Sequence, residues 1–585
     1  MIRRLFKQMV VTQVISSMTV TLCMLIDSIV IGRFLGVEAM AAYCYTQPVL
    51  LAFAAPGAMI SAGIQIVCGN TLGSGDRDET DSCYTVSVAI TSLISILGLL
   101  IVLLFAGPIA TLLGAGTPGV DNPVYYLTKD YLTGFIIGVP AFLIAQIMVP
   151  FLQMSGRRTR LVTAVLVMTI LDIAFDLINV LVINGGIFGM GLASSLSYYA
   201  AVIVGLGYFL SKDCLFRIKI KLLNRAMLRR ILGGGVPTVI NQLSLVLLVL
   251  LINNLLKSTG GYVAVAAYSV ISTISNLCYA FCNGNSSVAL MMASIFTTDE
   301  DRSSIYELVS VMTRCAVIVL AAVTVFVIAC AHPIVSLFLA DEPDTVVLAA
   351  AGLRLFALCL IPCALNTTYK FYYQGIGRLR LMEVICVLQN FALPAIGAIL
   401  LSRFLGTAGV WLCFLFGEGT ALLFICIYVW ISNRRIRFSV EDFALLPDSF
   451  GAAADECFEY RVNGTEDAVA ASDKAIAFCL DHGVDKKTST LIGLCIEEMT
   501  CNIVNFGFPE QKAPYITIEV RLVFRDGTKI ISIRDNCAGF DPIHYHELHR
   551  NDDPVAHIGI RTVVASAKEA VYINTFGLNN LTLRL

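Results

Sequence analysis

The sequence predicts an all-α membrane protein of twelve transmembrane helices in two six-helix lobes, followed by a smaller soluble α/β domain. Three observations support this fold class: an apolar composition, a near-continuous series of apolar stretches, and a change in composition after Arg437. The chain is 57% hydrophobic and only 14% charged, with a mean hydropathy of +0.80. Soluble proteins carry about 25% charged residues, so we expect most of this chain to lie in lipid.

The apolar stretches have the length of membrane spans, since a spanning helix needs roughly 20 apolar residues. Arg3, Arg4 and Lys7 precede the first stretch, which is too long for the apolar core of a signal peptide, so we expect it to be retained. The predicted spans are 10–31, 41–68, 83–105, 124–150, 160–183, 187–210, 231–256, 263–293, 306–331, 347–368, 381–403 and 408–432.

Charged residues predict the orientation of the chain. Basic residues concentrate in alternate connections, as in Arg157–Arg160 and the segment 212–230. Cytoplasmic loops are enriched in Lys and Arg, so both termini are predicted to be cytoplasmic, in a multi-pass protein of the cell membrane. Acidic residues outnumber basic ones from Val440 onward, and such a tail is not expected to bind nucleic acid.

An internal repeat divides the membrane region. The segment "GVEAMAAY" at 36–43 returns as "GYVAVAAY" at 261–268, and Asp76-Arg77 returns as Asp301-Arg302 at the same spacing. Further on, "QMSGR" at 153–157 pairs with "QGIGR" at 374–378. We therefore predict one lobe over 1–225 and a second over 226–437. An even number of helices per lobe makes the repeats parallel, an arrangement that suits alternating access.

Few acidic residues lie deep inside the predicted spans, where each costs about 3 kcal/mol or more. The first lobe has Asp27, Asp172 and Asp176, and the second has Glu383 and Glu418. Asp172 and Asp176 are four residues apart and share one helix face. A buried carboxylate can exchange its charge for a proton, and a cationic substrate can compete with that proton. These acids predict proton-linked antiport; the alternative is that each only bonds a neighbouring helix.

Several motifs over residues 1–435 resemble the multidrug-and-toxin-extrusion (MATE) family. They are "MLIDSIVIGRFLG", "LGSGDRDET", "LDIAFDLINVLVINGGIFGMGLASS", "GGGVPTVINQ" and "GTAGVWL". The resemblance implies cation-coupled export of small, drug-like compounds, with Asp27, Asp172 and Asp176 in a proton-linked site. Sodium-using members carry acids in the seventh, eighth and tenth helices, where this chain has none, which favours protons. A flippase for lipid-linked oligosaccharides is the alternative, although few basic residues lie inside the spans.

The sequence predicts a soluble domain over 452–585, preceded by a linker at 438–451. "CFEYRV" predicts a strand, and 465–480 and 485–506 predict amphipathic helices. A hairpin with its turn at Asp526-Gly527 follows, then a helix near 558–569 and the strands "AVYINTF" and "NLTLRL".

Three patches of this domain could carry chemistry. "EEMTCNIVNFGF" puts Glu498 and Asn502 on one helix face, where a carboxylate can act as general base and an amide oxygen can bind Mg²⁺. "IRDNCAGFDP" places Asp535 and Gly539 after a strand, and "HIGIRTV" opens a helix whose amides could hold phosphates. Taken singly, each patch is also typical of an ordinary exposed helix face, a polar turn after a strand or the start of a helix.

The order of the patches resembles the ATPase superfamily of gyrase, heat-shock chaperones and sensor histidine kinases, and most of all the anti-sigma-factor serine kinases. The resemblance implies a Bergerat-type α/β sandwich that binds ATP and Mg²⁺. Glu498 would be the catalytic base, Asn502 the magnesium ligand and Asp535 the adenine reader, while Gly539 and Gly559 would shape the pocket. The partner would be a cytosolic anti-anti-sigma-like protein.

Two positions depart from the family pattern, since Cys537 and His557 replace glycines of the two glycine boxes. A docking module without nucleotide therefore stays open, as does a membrane-anchored sensor kinase. The segment between Arg437 and the first strand is too short for the helical phospho-acceptor hairpin of a sensor histidine kinase. The tail also lacks a P-loop sequence, so ATP is not expected to drive transport. His544, His546 and His549 lack the spacing of a zinc enzyme.

Overall fold

The structure is a computed structural model. It describes residues 2–74, 76–115, 117–118, 122–211, 214–336, 343–433, 439–447, 450–452, 454–507, 517–525, 528–537, 539–548, 558–575 and 578–585.

The described part of the membrane region consists of helices and the loops between them. Its helices are α1 (Ile2–Val30), α2 (Val37–Ser74), α3 (Arg77–Ala110), α4 (Pro123–Ile136), α5 (Val139–Met154), α6 (Arg158–Ile178), α7 (Gly186–Phe209), α8 (Arg225–Thr298), α9 (Arg302–Ser336), α10 (Pro343–Ala357), α11 (Leu360–Gly375), α12 (Leu379–Val387), α13 (Leu393–Leu405) and α14 (Thr407–Asn433).

Among the described residues, nine helices are long and apolar enough to cross a membrane, or up to eleven if two bent pairs each count as one span. The bent pairs are Pro123–Ile136 with Val139–Met154, at 48°, and Val346–Ala357 with Leu360–Gly375, at 47°. They lie at corresponding positions of the two predicted lobes. A proline in the first turn of α5 adds to the first bend, because its nitrogen has no proton to donate to the preceding helix.

The count falls short of the twelve predicted spans because α8 covers the predicted seventh and eighth spans together. A straight helix would separate Ile231 from Ser294 by roughly 95 Å at 1.5 Å per residue. Both residues nevertheless contact neighbouring turns of α2: a side chain at Gly63 would collide with the carbonyl of Ile231, and Ser294 Oγ donates to Gln65 O at 2.9 Å. The chain of α8 therefore doubles back, and its two arms contain the predicted spans 231–256 and 263–293.

The tail is a five-stranded sheet with helices packed on one face. Its elements are β1 (Cys457–Val462), α15 (Thr465–Asp481), α16 (Lys486–Phe506), β2 (Ile518–Arg525), β3 (Thr528–Asp535), α17 (Pro542–Leu548), α18 (Ile558–Ser566), β4 (Glu569–Thr575) and β5 (Leu578–Arg584). The strand order is β1-β2-β3-β5-β4, and every neighbouring pair is antiparallel. The predicted strands and helices are present, whereas α17 was not predicted and the turn at Asp526-Gly527 lies outside the described residues.

The two faces of the sheet have different surroundings because side chains alternate along a strand. Ile531 and Ile533 of β3 are buried in a core with residues of α15 and α16. Arg534 points to the opposite face and contacts the loop between α8 and α9. Asp535 returns to the helix face, so two adjacent residues of β3 serve different neighbours.

The predicted linker packs onto the second lobe. Phe443 stacks on Tyr369 with ring centres 4.5 Å apart. Tyr372 donates its hydroxyl to the carbonyl of Ala444 at 3.0 Å, and Arg378 donates to the carbonyl of Leu445 at 2.6 Å. These contacts position the start of the tail against α11.

Candidate functional site

The three acids of the first lobe come together between α1 and α6. Asp27 lies near the end of α1, and Asp172 and Asp176 lie one turn apart on α6. All three side chains are buried, with exposures of 8%, 4% and 0%. The predicted site residues of the membrane region are thus neighbours, although 145 positions separate the first from the second.

Asp27 and Asp176 face each other directly, with their carboxyl groups placed to share a hydrogen bond. Two ionised carboxylates are both acceptors, so such a bond requires a proton on one of them. Apart from this shared bond, Asp27 Oδ1 and both oxygens of Asp176 receive no donor from the other residues that the structure describes. The geometry therefore fits a pair that holds a proton and can give it up.

Asp172 has a different environment, because neutral donors reach its carboxylate. Ser197 on α7 donates its hydroxyl to Asp172 Oδ1 at 3.0 Å, and Cys23 on α1 lies within hydrogen-bonding reach. The sequence analysis missed both residues. The spacing of Cys23, four positions before Asp27 and on the same helix face, was the available signal for one of them.

Aromatic residues border the acid cluster. Tyr131 and Tyr198 are close enough to Asp27 to feel its charge. Tyr131 meets the ring of Tyr43 edge to face at 5.3 Å, and Tyr198 packs on Phe142 at 5.1 Å. Aromatic faces attract cations, so these rings provide a surface for the cationic part of a small molecule.

A π-helical turn follows each arm of the cluster. One covers Ile31–Leu35, shortly after Asp27, and the other covers Asn179–Ile183, shortly after Asp176. Asn179 donates to the carbonyl of Gly186 at 2.9 Å and thereby closes the second turn. Single π-turns inside helices occur frequently at functional sites.

The second lobe contains a separate polar network around Glu418. Asn366 donates to Glu418 Oε2 at 2.7 Å, and Gln389 donates to it at 3.1 Å. Lys370, which is only 2% exposed, donates to Asn241 Oδ1 at 2.7 Å. Glu418 was predicted from the sequence, whereas Lys370 lies just beyond the predicted span 347–368 and was not singled out.

A family profile described as MatE matches residues 13–178 and 237–399, which together make up more than half of the chain. The chain belongs to the MatE family. This MatE protein is 22% identical over 412 residues to the multidrug export protein MepA of Staphylococcus aureus, covering 69% of this chain and 88% of MepA. It is 24% identical over 262 residues to the probable multidrug resistance protein YoeA of Bacillus subtilis, covering 43% of this chain and 55% of YoeA.

The fold of this MatE protein is similar to those of solved transporters. An outward-facing multidrug resistance MATE transporter superposes with a TM-score of 0.67 at 19% identity, over 72% of this chain and 94% of that one. A MOP superfamily transporter from Pyrococcus furiosus superposes with a TM-score of 0.68 at 18% identity, over 74% of this chain and 96% of that one. At these identities the likeness concerns the fold alone.

Three of the predicted nucleotide-site residues meet in the tail. Asn502 donates to Glu498 Oε1 at 3.2 Å across one turn of α16. Gly559, at the start of α18, lies so close that any side chain there would overlap the Glu498 carboxylate. The structure therefore brings Glu498, Asn502 and Gly559 together, and a larger residue at position 559 would have to displace the Glu498 carboxylate.

Asp535 lies at the end of β3, buried on the helix face. Its Oδ1 accepts from the backbone nitrogen of Cys537 at 2.9 Å and from Asn579 Nδ2 at 2.7 Å. Burial raises the pKa of Asp535 above its usual value, while these two donors act in the opposite direction. Asn579, which also accepts from the hydroxyl of Tyr572 at 2.6 Å, was not foreseen.

The donor set fits a magnesium nucleotide in part. Glu498 and Asn502 supply oxygen-bearing side chains of the kind that Mg²⁺ prefers. A Cβ at Gly539 would lie 3.3 Å from Asn574 Nδ2, so a side chain there would crowd Asn574, which neighbours Asn579. Asn579 already holds Asp535 Oδ1, so an adenine amino group would have to share or replace that donor.

The two departures from the family pattern have different outcomes. Cys537 lies against Gly507 at the end of α16, and burial raises the pKa of its thiol well above the usual range, so the thiol is neutral. His557 and His549 lie outside the described residues. His544 and His546 belong to α17, and the described residues contain no group of His, Cys, Asp and Glu arranged to hold a metal ion.

Proposed function

We propose that this protein exports small organic, drug-like compounds in exchange for protons. The facing pair of Asp27 and Asp176 carries the proposal, because its hydrogen bond needs a proton. Ionisation of the pair would leave two negative charges with no donor from the described residues. A cationic compound beside Tyr131 and Tyr198 would then compensate those charges.

The exchange of substrate for protons follows because the proton and the cationic compound compete for the same pair of carboxyl groups. With the proton bound, Asp27 and Asp176 share it, and the pair carries one negative charge in place of two. With a cationic substrate bound, the proton is no longer needed and leaves. Each state stabilises a different arrangement of α1 against α6, as alternating access requires. MepA, a multidrug export protein, is a relative whose stated activity agrees with this proposal.

Transport in proteoliposomes tests the proposal, with a fluorescent cationic compound and an imposed pH gradient. We expect Asp27→Asn and Asp176→Asn to abolish transport driven by the gradient. Asp130→Asn is the matched control, because Asp130 is exposed on α4. Full activity in Asp27→Asn, or transport that follows a sodium gradient instead, would contradict proton coupling at this pair.

We further propose that both termini are cytoplasmic and that the tail is an ATP-binding module of the Bergerat type. Glu498 would orient an attacking hydroxyl as general base, Asn502 would contribute an oxygen to Mg²⁺, and Asp535 would read the adenine. ATP with Mg²⁺ would supply a phosphoryl group for a serine of an anti-anti-sigma-like partner, or would act as a regulatory ligand. Calorimetry of the full-length protein with ATP and Mg²⁺ tests this, and binding that survives Asp535→Ala would contradict the assignment.

The buried Lys370 keeps an oligosaccharide flippase as a second candidate, because an intramembrane cation could accompany an anionic lipid phosphate. Its amine already donates to Asn241, so this role would need a rearrangement. A lipid-linked oligosaccharide that is translocated by the wild type and not by Lys370→Met would favour the flippase over the drug exporter. A sensor kinase would instead phosphorylate a regulator in full-length protein whose transport has been abolished by Asp176→Asn.

A further inference from the structure

The repeat-related arginines Arg77 and Arg302 both contact the C-terminal region. Arg302, at the start of α9 in the second lobe, donates to the carbonyls of Pro447 at 2.9 Å and Phe450 at 2.8 Å. Arg77, at the start of α3 in the first lobe, reaches the folded tail itself. It pairs with Asp541 Oδ2 at 3.1 Å and donates to the carbonyl of Tyr572 at 3.3 Å. The same loop position thus serves the linker in one lobe and the ATPase-like domain in the other.

The second lobe holds the tail through several further contacts. Arg534 pairs with Asp299 at 3.3 Å and with Asp301 at 3.4 Å. Arg521 donates to the carbonyl of Glu300 at 3.3 Å. Together with the packed linker, these contacts hold the tail against the second lobe, so the tail is expected to move with that lobe.

The attachment to the first lobe is lighter and more exposed. The side chain of Arg77 is 67% exposed, so its ion pair with Asp541 is solvated and contributes modestly. Beside it, Ile573 belongs to the apolar cluster that contains Ile2 and Leu72 of the first lobe and Ile305 and Leu308 of the second. Relative movement of the lobes at this end would strain the Arg77 contacts before those of Arg534.

A cavity that is lined mostly by polar residues separates the sheet from the membrane region next to these contacts. The cavity measures about 490 Å³, and charged residues line much of it, including Asp301, Glu307, Arg521 and Arg534. Polar interfaces built from ion pairs dissociate more readily than packed apolar ones. This construction suits a contact that opens during a working cycle.

A short chain of hydrogen bonds joins Arg77 to the predicted adenine reader. Tyr572 accepts from Arg77 through its carbonyl, and its hydroxyl donates to Asn579 Oδ1 at 2.6 Å. Asn579 in turn donates to Asp535 Oδ1 at 2.7 Å. A ligand that takes over Asp535 Oδ1 would displace the Asn579 amide and thereby disturb Tyr572.

We propose that the C-terminal domain is a latch that moves with the second lobe, holds the first lobe through Arg77, and changes its hold when a purine nucleotide occupies Asp535. The latch keeps the two lobes together at the end of the membrane region that carries the tail. This regulatory role rests on the proposed transport by two moving lobes. The distance between the lobes can nevertheless be measured without a transport assay.

Distances between the lobes test the latch in full-length protein. Spin labels on noncanonical amino acids at Thr159 and Arg380 report on the repeat-related loops of the two lobes, and both positions are exposed. We expect Arg77→Gln and Asp541→Asn each to shift the distance distribution towards longer separations, with a change of about two- to fivefold in the population of the close state. The double variant should do no more than either single one, because both remove the same ion pair.

Arg584→Gln is the matched control, because Arg584 lies on the same sheet and pairs within the tail, with Glu569. We expect this variant to leave the distances unchanged. If Arg77→Gln and Asp541→Asn both leave the wild-type distribution intact, the latch is wrong, whatever the transport assay shows. A wild type that does not transport, but whose distances respond to Arg77→Gln, would contradict the proposed function and not the latch.

Nucleotide addition tests the second half of the proposal. We expect ATP with Mg²⁺ to shift the same distance distribution in the wild type and to have no effect in Asp535→Ala. Asn579→Asp is the complementary variant, because it breaks the donor to Asp535 while keeping the side-chain volume, and it should shift the distances without nucleotide. An ATP effect that persists in Asp535→Ala, or a wild type that does not respond to ATP, would overturn the link between Asp535 and the latch.

Discussion

The buried carboxyl groups of the two lobes have different partners. In the first lobe, Asp27 and Asp176 face each other and receive no donor from the other described residues. In the second lobe, Glu418 accepts from the amides of Asn366 and Gln389. A carboxylate that accepts hydrogen bonds from neighbouring helices links those helices stably. Two facing carboxyl groups instead depend on a shared proton, which can leave. The difference supports the proposal that coupling takes place in the first lobe.

Local backbone geometry extends this comparison. π-Helical turns follow Asp27 and Asp176 in the first lobe, and another, Leu388–Ala392, contains Gln389 in the second. In the first lobe the turns lie beside acids that lack donors. In the second lobe the turn places the Gln389 amide beside Glu418, where it completes the hydrogen-bond network around that carboxylate.

The largest difference between the lobes should appear in transport. We expect Asp176→Asn to lower gradient-driven export at least about tenfold, because an amide cannot exchange a proton in this range. Glu418→Gln should stay within about twofold, because a glutamine oxygen can still accept from Asn366. Initial rates in proteoliposomes with equal protein content measure both, and equal losses in the two variants would remove the distinction.

The order should reverse for stability. Glu418→Ala removes the carboxylate acceptor of Asn366 and Gln389, which keep only the backbone carbonyl of residue 418 and Thr367 Oγ1, and we expect a loss of about 1–3 kcal/mol in the free energy of unfolding. Asp27→Ala removes a carboxyl that has few partners and should cost less. Thermal unfolding in detergent, followed by the fluorescence of Trp411 and Trp430, makes the comparison, and a larger loss in Asp27→Ala would contradict it.

A smaller effect concerns pH at the loop that joins the second lobe to the tail. Burial raises the pKa of Asp299 to about 7, against the attraction of Arg534 and Arg521 and with the repulsion of Asp301. The group takes up a proton when the tail docks, so docking gains strength as the pH falls through about 7. By contrast, Arg534, Arg521 and Ser304 outweigh burial at Asp301 and hold its pKa below the usual value, so its contribution is lost only in strong acid.

We therefore expect tail docking to be about tenfold more favourable at pH 6 than at pH 8. Spin labels at Arg380 and Asp473, both exposed, report the separation of the second lobe and the tail. Asp299→Asn should remove most of this pH dependence. A dependence of the opposite sign, or one that persists in Asp299→Asn, would show that another group titrates at this interface.

The smallest effect should come from Lys370. Asn390 also donates to Asn241 Oδ1, at 2.6 Å, so Lys370→Met leaves that oxygen with a partner. We expect a change of about 1 kcal/mol in the free energy of unfolding and little change in drug export. A severe loss of export in Lys370→Met would move the coupling site into the second lobe and reverse the comparison.

Composition and local pattern determined much of this protein. Runs of apolar residues place the spans, because a backbone in lipid must satisfy its own hydrogen bonds and therefore becomes helical. Alternating apolar residues and turn residues likewise predicted the strands and helices of the tail. The acids of the first lobe stood out because charge is rare inside a span.

The tertiary structure decided which of these residues meet. Neutral partners such as Ser197, Asn366 and Asn579 carry no charge and no spacing rule, so only packing reveals that they bond Asp172, Glu418 and Asp535. The return of α8 and the contact of Arg77 with Asp541 join residues that are distant in the chain. Such contacts depend on how whole helices and sheets pack, and no local sequence pattern encodes them.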